Sequence, residues 1–184
     1  LTNTEYKILF VGNHIERKGV LDLVKAMKIL KEKYNFTKAT VIMVGQGPLT
    51  SKIAMLTNKH KLNIVLTGRV SDEYLSCLYS IADVFILPSY GEGLPIVVLE
   101  ALAHKLPVIT TKLPWVYDGF KEYLKLVTPG DPKMLAKAVL DVINDIEYYK
   151  KKTLDAARYV INEYNYTKIA TKYLNLYRDL LNWK

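Results

Sequence analysis

The sequence predicts an α/β domain, a parallel sheet of about six strands between two layers of helices. Three observations carry that reading. Short, continuously apolar runs alternate with longer amphipathic ones. The short runs lack the strict alternation of strands with one wet face, so both faces of the sheet should be covered. Glycines and other small residues follow the ends of these runs, where an open parallel sheet binds ligands.

The elements follow in order. Lys7 to Val11 (K-I-L-F-V) reads as the first strand, and Val20 to Lys33 as a helix with Leu21, Val24 and Leu30 at helical spacing. Thr40 to Val44 is the second strand, and Leu49 to Lys61 a helix started by Pro48. Ile64 to Thr67 is the third strand. Ser71 caps a helix to Ile81, with Asp72 and Glu73 against the positive end of its dipole. Val84 to Leu87, Val108 to Thr110 and Leu124 to Val127 are strands, with a helix from Pro95 to Ala103 between the first two. Asp131 and Pro132 open the helical remainder, which includes Ile146 to Glu163 and Thr167 to Leu181. The tyrosine-rich last helix, with Ile169, Tyr173, Leu176, Tyr177 and Leu180 at helical spacing, reads as core.

A chain of 184 residues suits one domain spanning residues 1–184, and a 50% hydrophobic content allows a sizeable core. No apolar run reaches the roughly 20 residues of a membrane span. The single Cys77 excludes an internal disulfide, fits a reducing compartment and, beside Leu78 and Tyr79, is expected to be buried. His14, His60 and His104 lack ligand spacing, so no metal is expected. The net charge of +8 admits nucleic acid as a partner, but the lysines are dispersed, and the cluster Lys150 to Lys152 reads as a solvated helix face. No nucleic-acid partner is expected.

The informative stretch is Y-G-E-G-L-P-I-V-V-L-E-A, Tyr90 to Ala101. A loop enters a helix there, and free N–H groups with the helix dipole favour an anion such as phosphate. Glu92 would repel that phosphate unless it faces a neutral part of the ligand. A sugar joined to a diphosphate resolves the conflict, with amides on the phosphates and Glu92 on sugar hydroxyls. Against this stands a plain capping carboxylate. Glu100 sits in an otherwise apolar helix, where an ionised group needs a partner. It could bond ribose hydroxyls, or a structural Lys or Arg. Lys18, near the start of the first long helix, could be a phosphate contact or simply solvated. The sequence lacks a complete G-x-G-x-x-G, a P-loop and a G-x-S-x-G elbow.

Taken together, these segments resemble the C-terminal donor-binding domain of the retaining glycosyltransferases of GT-B architecture, specifically glycosyltransferase family 4. The strongest part is L-P-S-Y-G-E-G-L-P-I-V-V-L-E-A-L-A-H-K-L-P-V-I-T-T, whose Glu92 and Glu100 match the family's paired glutamates. G-R-V-S-D-E-Y-L, A-D-V-F-I-L-P-S and P-G-D-P-K-M-L-A are weaker matches. The resemblance implies a Rossmann-like domain that binds a nucleotide-diphospho-sugar, with an N-terminal acceptor domain absent from this chain. It implies Glu92 as the catalytic residue, near the reacting carbon, and Glu100 on the ribose. Lys18 and the amides of Gly93 and Leu94 would hold the diphosphate, Gly12, Asn13 and Gly91 would belong to the donor site, and Pro95 would shape the loop. Arg69 and Val70 would lie near the base. No metal or other cofactor is implied. The acceptor would be a glycan or a lipid-linked one, and the place of action the cytoplasm, with the membrane face open to the full-length protein.

The chain also departs from the family. Asn13 replaces the usual Arg, which removes one positive phosphate contact unless Arg17 supplies it. Pro114, Trp115 and Asp118 stand where two glycines and a glutamate are usual, and His104-Lys105 replaces a small residue and glycine. These departures keep open a second reading, a non-catalytic nucleotide-sugar-binding or regulatory module of the same fold. Partner contact is expected on the last helix, at Tyr173, Tyr177 and Trp183.

Overall fold

The computed structural model describes residues 5–181. Six parallel strands form one sheet: β1 (Tyr6–Val11), β2 (Ala39–Val44), β3 (Ile64–Gly68), β4 (Val84–Leu87), β5 (Val108–Thr111) and β6 (Leu124–Val127). Among the described residues there are seven α-helices, α1 (Val20–Tyr34), α2 (Thr50–His60), α3 (Asp72–Ile81), α4 (Ile96–Ala103), α5 (Pro132–Asn144), α6 (Ile146–Glu163) and α7 (Tyr166–Leu181), and three short 3-10 turns at Glu16–Lys18, Pro114–Tyr117 and Lys121–Tyr123. The strand order is β3-β2-β1-β4-β5-β6, the order of the dinucleotide-binding α/β fold. The α/β/α architecture expected from the apolar runs is therefore present, with its strands all parallel.

The physical reasons are local. Every residue of β2 and β4 is buried, as continuous apolar strands require. Helix α1 turns Val20, Leu23, Val24, Met27 and Leu30 inward and packs on α1's neighbours α2 and α5. On the other side of the sheet, α4 packs against α6 and reaches α3. The caps behave as their residue types dictate. Ser71 Oγ accepts from the Tyr74 amide at 3.3 Å, and Asp131 accepts from Lys133 and Met134 at 3.0 and 2.9 Å. Helix α2 starts one residue later than expected, with Leu49 rather than Pro48 at its cap position.

Two expectations fail. Cys77 is exposed, because Leu75, Leu78 and Tyr79 define the inner face of α3 and leave residue 77 outside. Helix α7 buries none of its described residues and so is not core. Its apolar stripe stays largely open among the described residues, with Tyr173 57% and Leu180 59% exposed. Trp183 lies outside the described residues.

The topology fixes where a ligand belongs. Chain order reverses between β1 and β4, the switch point beyond whose carboxyl ends an open parallel sheet of this order binds its ligand. The loop after β1 carries Lys18, and the loop after β4 carries Glu92.

Candidate functional site

The two loops at the switch point are tied to each other by backbone. Gly19 has φ 65°, and a Cβ there would lie 1.9 Å from the Pro88 carbonyl oxygen, so only glycine lets them close. The Tyr90 amide donates to the Arg17 carbonyl at 2.8 Å, and the Arg17 guanidinium donates to the Gly91 carbonyl at 2.8 Å. From β5, Thr111 donates to the Ser89 carbonyl at 2.6 Å. The loop after β2 closes on the same group, since a Cβ on Gly45 would meet the Gly12 carbonyl at 2.1 Å.

This frame sets Lys18 against Glu92. Lys18 Nζ donates to Glu92 Oε1 at 2.7 Å, and Arg17 approaches Glu92 Oε2 at 3.7 Å. The Glu92 side chain is only 8% exposed, and Lys18 16%. Glu92 is therefore neither a helix cap nor unpartnered: two residues assigned by the sequence to opposite parts of a ligand are bonded to each other. Arg17 stands near Glu92, while Asn13 is exposed.

The anion side is open. Among the described residues, no hydrogen bond is accepted from the N–H groups of Gly93, Leu94, Ile96 or Val97. Pro95, at the cap position of α4, has no N–H to offer. Gly91 and Gly93 have no positive φ, and a Cβ at either would meet nothing. The fold requires glycine at neither position, and both leave open space on either side of Glu92. Beside them lies a cavity of about 300 Å³, reached by Glu92, Leu94, Trp115, Asp118 and Tyr164.

Glu100 meets a different environment. Its Oε2 accepts from the Tyr79 hydroxyl at 2.9 Å, and among the described residues it makes no ion pair. Of the two alternatives for Glu100, the structural Lys or Arg is not found among the described residues; a phenol bonds it instead. Burial, then the Glu100 charge, pushes the Tyr79 phenol well above its ordinary range. His104 stacks on the Tyr79 ring with centroids 5.0 Å apart. Arg69 and Val70 stand at the end of the edge strand β3, with no bond to the Lys18–Glu92 pair.

Several nearby residues meet surroundings that the sequence reading did not anticipate. His14 is fully buried with Nδ1 2.9 Å from Thr50 Oγ1, and burial lowers its pKa. Among the described residues, His14 Nε2, Ser89 Oγ and Trp115 Nε1 are buried without a hydrogen-bond partner, in the loops after β1, β4 and β5. Tyr90 donates to the buried Asp22, and that bond first, then burial, pushes its phenol up to about 12. A phenol beside a distant carboxylate has no sequence signal, because the partners lie on separate elements. No group of three or more His, Cys, Asp or Glu that could hold a metal occurs among the described residues. No helix there is long and apolar enough to cross a membrane.

Comparison with known proteins gives the family and the fold. Residues 1–158 match the family described as glycosyl transferases group 1. An uncharacterized glycosyltransferase of Methanocaldococcus jannaschii is 30% identical over 180 residues, covering 95% of this chain and 45% of that protein. A GalNAc-GalNAc-diNAcBac-PP-undecaprenol alpha-1,4-N-acetyl-D-galactosaminyltransferase of Campylobacter jejuni is 28% identical, covering 97% and 49%. The solved sucrose-phosphate synthase of Thermosynechococcus elongatus superposes with a TM-score of 0.86 at 28% identity, covering all of this chain and 47% of that one. The chain thus spans about half the length of the relatives it matches.

Proposed function

The chain belongs to the glycosyl transferases group 1 family, and on that premise we propose that it is the donor-binding domain of a retaining, hexosyltransferase-type enzyme of glycosyltransferase family 4, the C-terminal half of a GT-B protein. The donor is a nucleotide-diphospho-sugar. One observation carries the reading: Lys18 and Glu92 meet at the switch point of the sheet, beside unpartnered amides and two glycines that the fold does not need.

In that role the Gly93 and Leu94 amides and Lys18 hold the diphosphate, with Arg17 near by. They stabilise negative charge as the nucleoside diphosphate departs. Glu92 accepts from sugar hydroxyls and orients the reacting carbon. Glu100, steadied by Tyr79, accepts from the ribose, and Arg69 and Val70 border the base. Gly12 lies beside the Lys18 stem, whose Cδ would stand in ordinary contact at 3.8 Å from a Cβ there. The chemistry asks for charge stabilisation that amides and lysine supply, so no metal is assigned a part. The acceptor, a glycan or lipid-linked sugar, is met by a further domain of the whole protein, and this chain alone is inactive in transfer. The place of action is the cytoplasm, with the membrane face as the site of a lipid-linked acceptor.

Isothermal titration of this chain with UDP, GDP and ADP tests the reading. The expected result is binding of at least one; a folded sample that binds none at millimolar concentration overturns it. The exposed Asn13 favours a second reading, a non-catalytic module that binds the same ligand. In the whole protein Glu92→Gln then leaves activity unchanged, whereas the first reading expects transfer to be lost.

A further inference from the structure

We propose that the Lys18–Glu92 ion pair makes the site discriminate an intact nucleotide sugar from the bare nucleoside diphosphate; this rests on the donor-site reading above. The two side chains are joined at 2.7 Å in a setting where neither is well hydrated, with Glu92 8% and Lys18 16% exposed. A diphosphate that takes Lys18 as its counter-charge draws it from Glu92. The carboxylate then loses its nearest donor in a place water reaches poorly, and leaving a charge so situated is costly.

Arg17 does not make good that loss. It stands 3.7 Å from Glu92, is 57% exposed and already donates to the Gly91 carbonyl. The amides of Gly93 and Leu94 belong to the same loop as Glu92 but are wanted by the phosphates. The remaining source of hydrogen bonds is the ligand itself. Sugar hydroxyls donate to a carboxylate, and they arrive on the same molecule that removes Lys18. An intact donor therefore exchanges one partner of Glu92 for another, whereas the bare diphosphate removes a partner and returns none. The glycines on either side of Glu92, which meet nothing in the fold, leave space for that exchange. The consequence after transfer is a weakened hold on the diphosphate product, with Lys18 returning to Glu92 as it leaves.

Glu92→Gln removes the charge while keeping the shape. Calorimetric titration of wild-type and variant chains would use UDP, GDP and ADP and their glucose and N-acetylglucosamine conjugates. In the wild type, the tightest conjugate binds more strongly than its own diphosphate. In Glu92→Gln, which releases Lys18, the diphosphate is expected to bind about tenfold tighter, and the advantage of the conjugate to shrink by a similar factor. A folded variant with unchanged or weaker diphosphate binding overturns the inference while leaving the donor-site reading in place. The wild-type comparison needs no variant: if every conjugate binds more weakly than its diphosphate, the inference also falls. If wild type and variant both bind no diphosphate, the donor-site reading is overturned and the inference goes with it.

Discussion

Glu92 and Glu100 are the same residue type eight positions apart, yet the molecule treats them differently. Glu92, in a loop, is neutralised by a lysine from the loop after β1. Glu100, on a helix, is steadied by a neutral phenol from α3 and pairs with no cation among the described residues. Each region also contains a tyrosine that donates to a carboxylate, Tyr90 to Asp22 and Tyr79 to Glu100. The Tyr90 phenol is raised first by its bond to Asp22, whereas the Tyr79 phenol is raised first by burial. The difference teaches that a carboxylate's neighbourhood depends on which remote element is folded against it. A charged partner can be drawn away by a ligand's charge. A phenol holds its acceptor in place without competing for phosphate.

The contrast can be broken most severely at Gly19. Gly19→Ala forces a side chain against the Pro88 carbonyl at a left-handed φ, so it should cost about 3 kcal/mol and part Lys18 from Glu92. Chemical denaturation reads the loss; a cost below about 1 kcal/mol would mean the loops are not locked as described. Lys18→Ala comes next. It leaves Glu92 without its 2.7 Å donor, for a loss of about 2 kcal/mol and weaker diphosphate binding. Unchanged stability and affinity would show the pair to be idle.

A smaller effect is expected on the Glu100 side. Tyr79→Phe removes one hydroxyl from a ring that is 2% exposed and should cost about 1 kcal/mol. Because Glu100 then loses its orienting donor, nucleotide affinity should fall as well. Glu100→Gln keeps an acceptor for the phenol and should cost less stability than Tyr79→Phe; the reverse order would argue against that bond.

The finest probe is pH. Both phenols are raised above their unfolded values, so each favours the native state fully below about pH 10. For Tyr90 that contribution is lost as pH climbs from there through about 12. Ultraviolet titration should find Tyr90 ionising near pH 12, and Tyr79 only above it or on unfolding. Early ionisation of either would deny its carboxylate partner.

Much of this was readable residue by residue. Val84 to Leu87 coincides with β4, because a strand buried on both faces must be apolar throughout, while Leu124 to Val127 coincides with β6, an edge strand that admits Lys125 paired with Asp141. Glu92 and Lys18 were singled out singly, yet their bond spans 74 positions and no local pattern encodes it. Tyr79 and Tyr90 were passed over for the same reason. Helix α7 shows the limit most plainly. Its stripe at Ile169, Tyr173, Leu176 and Leu180 has the period of a core helix, but period marks an apolar face without naming what covers it.

By itself, then, the order of residues determined the strands, the helices, their caps and the glycine loop, since each depends on steric and hydrophobic preferences within a few positions. Only the tertiary structure decided that β1 lies beside β4, and hence that Lys18 grips Glu92 while a phenol, not a cation, serves Glu100. Coulomb attraction and hydrogen bonding act over a few ångströms of space, and it is the packing of the sheet that brings residues distant along the chain within that reach.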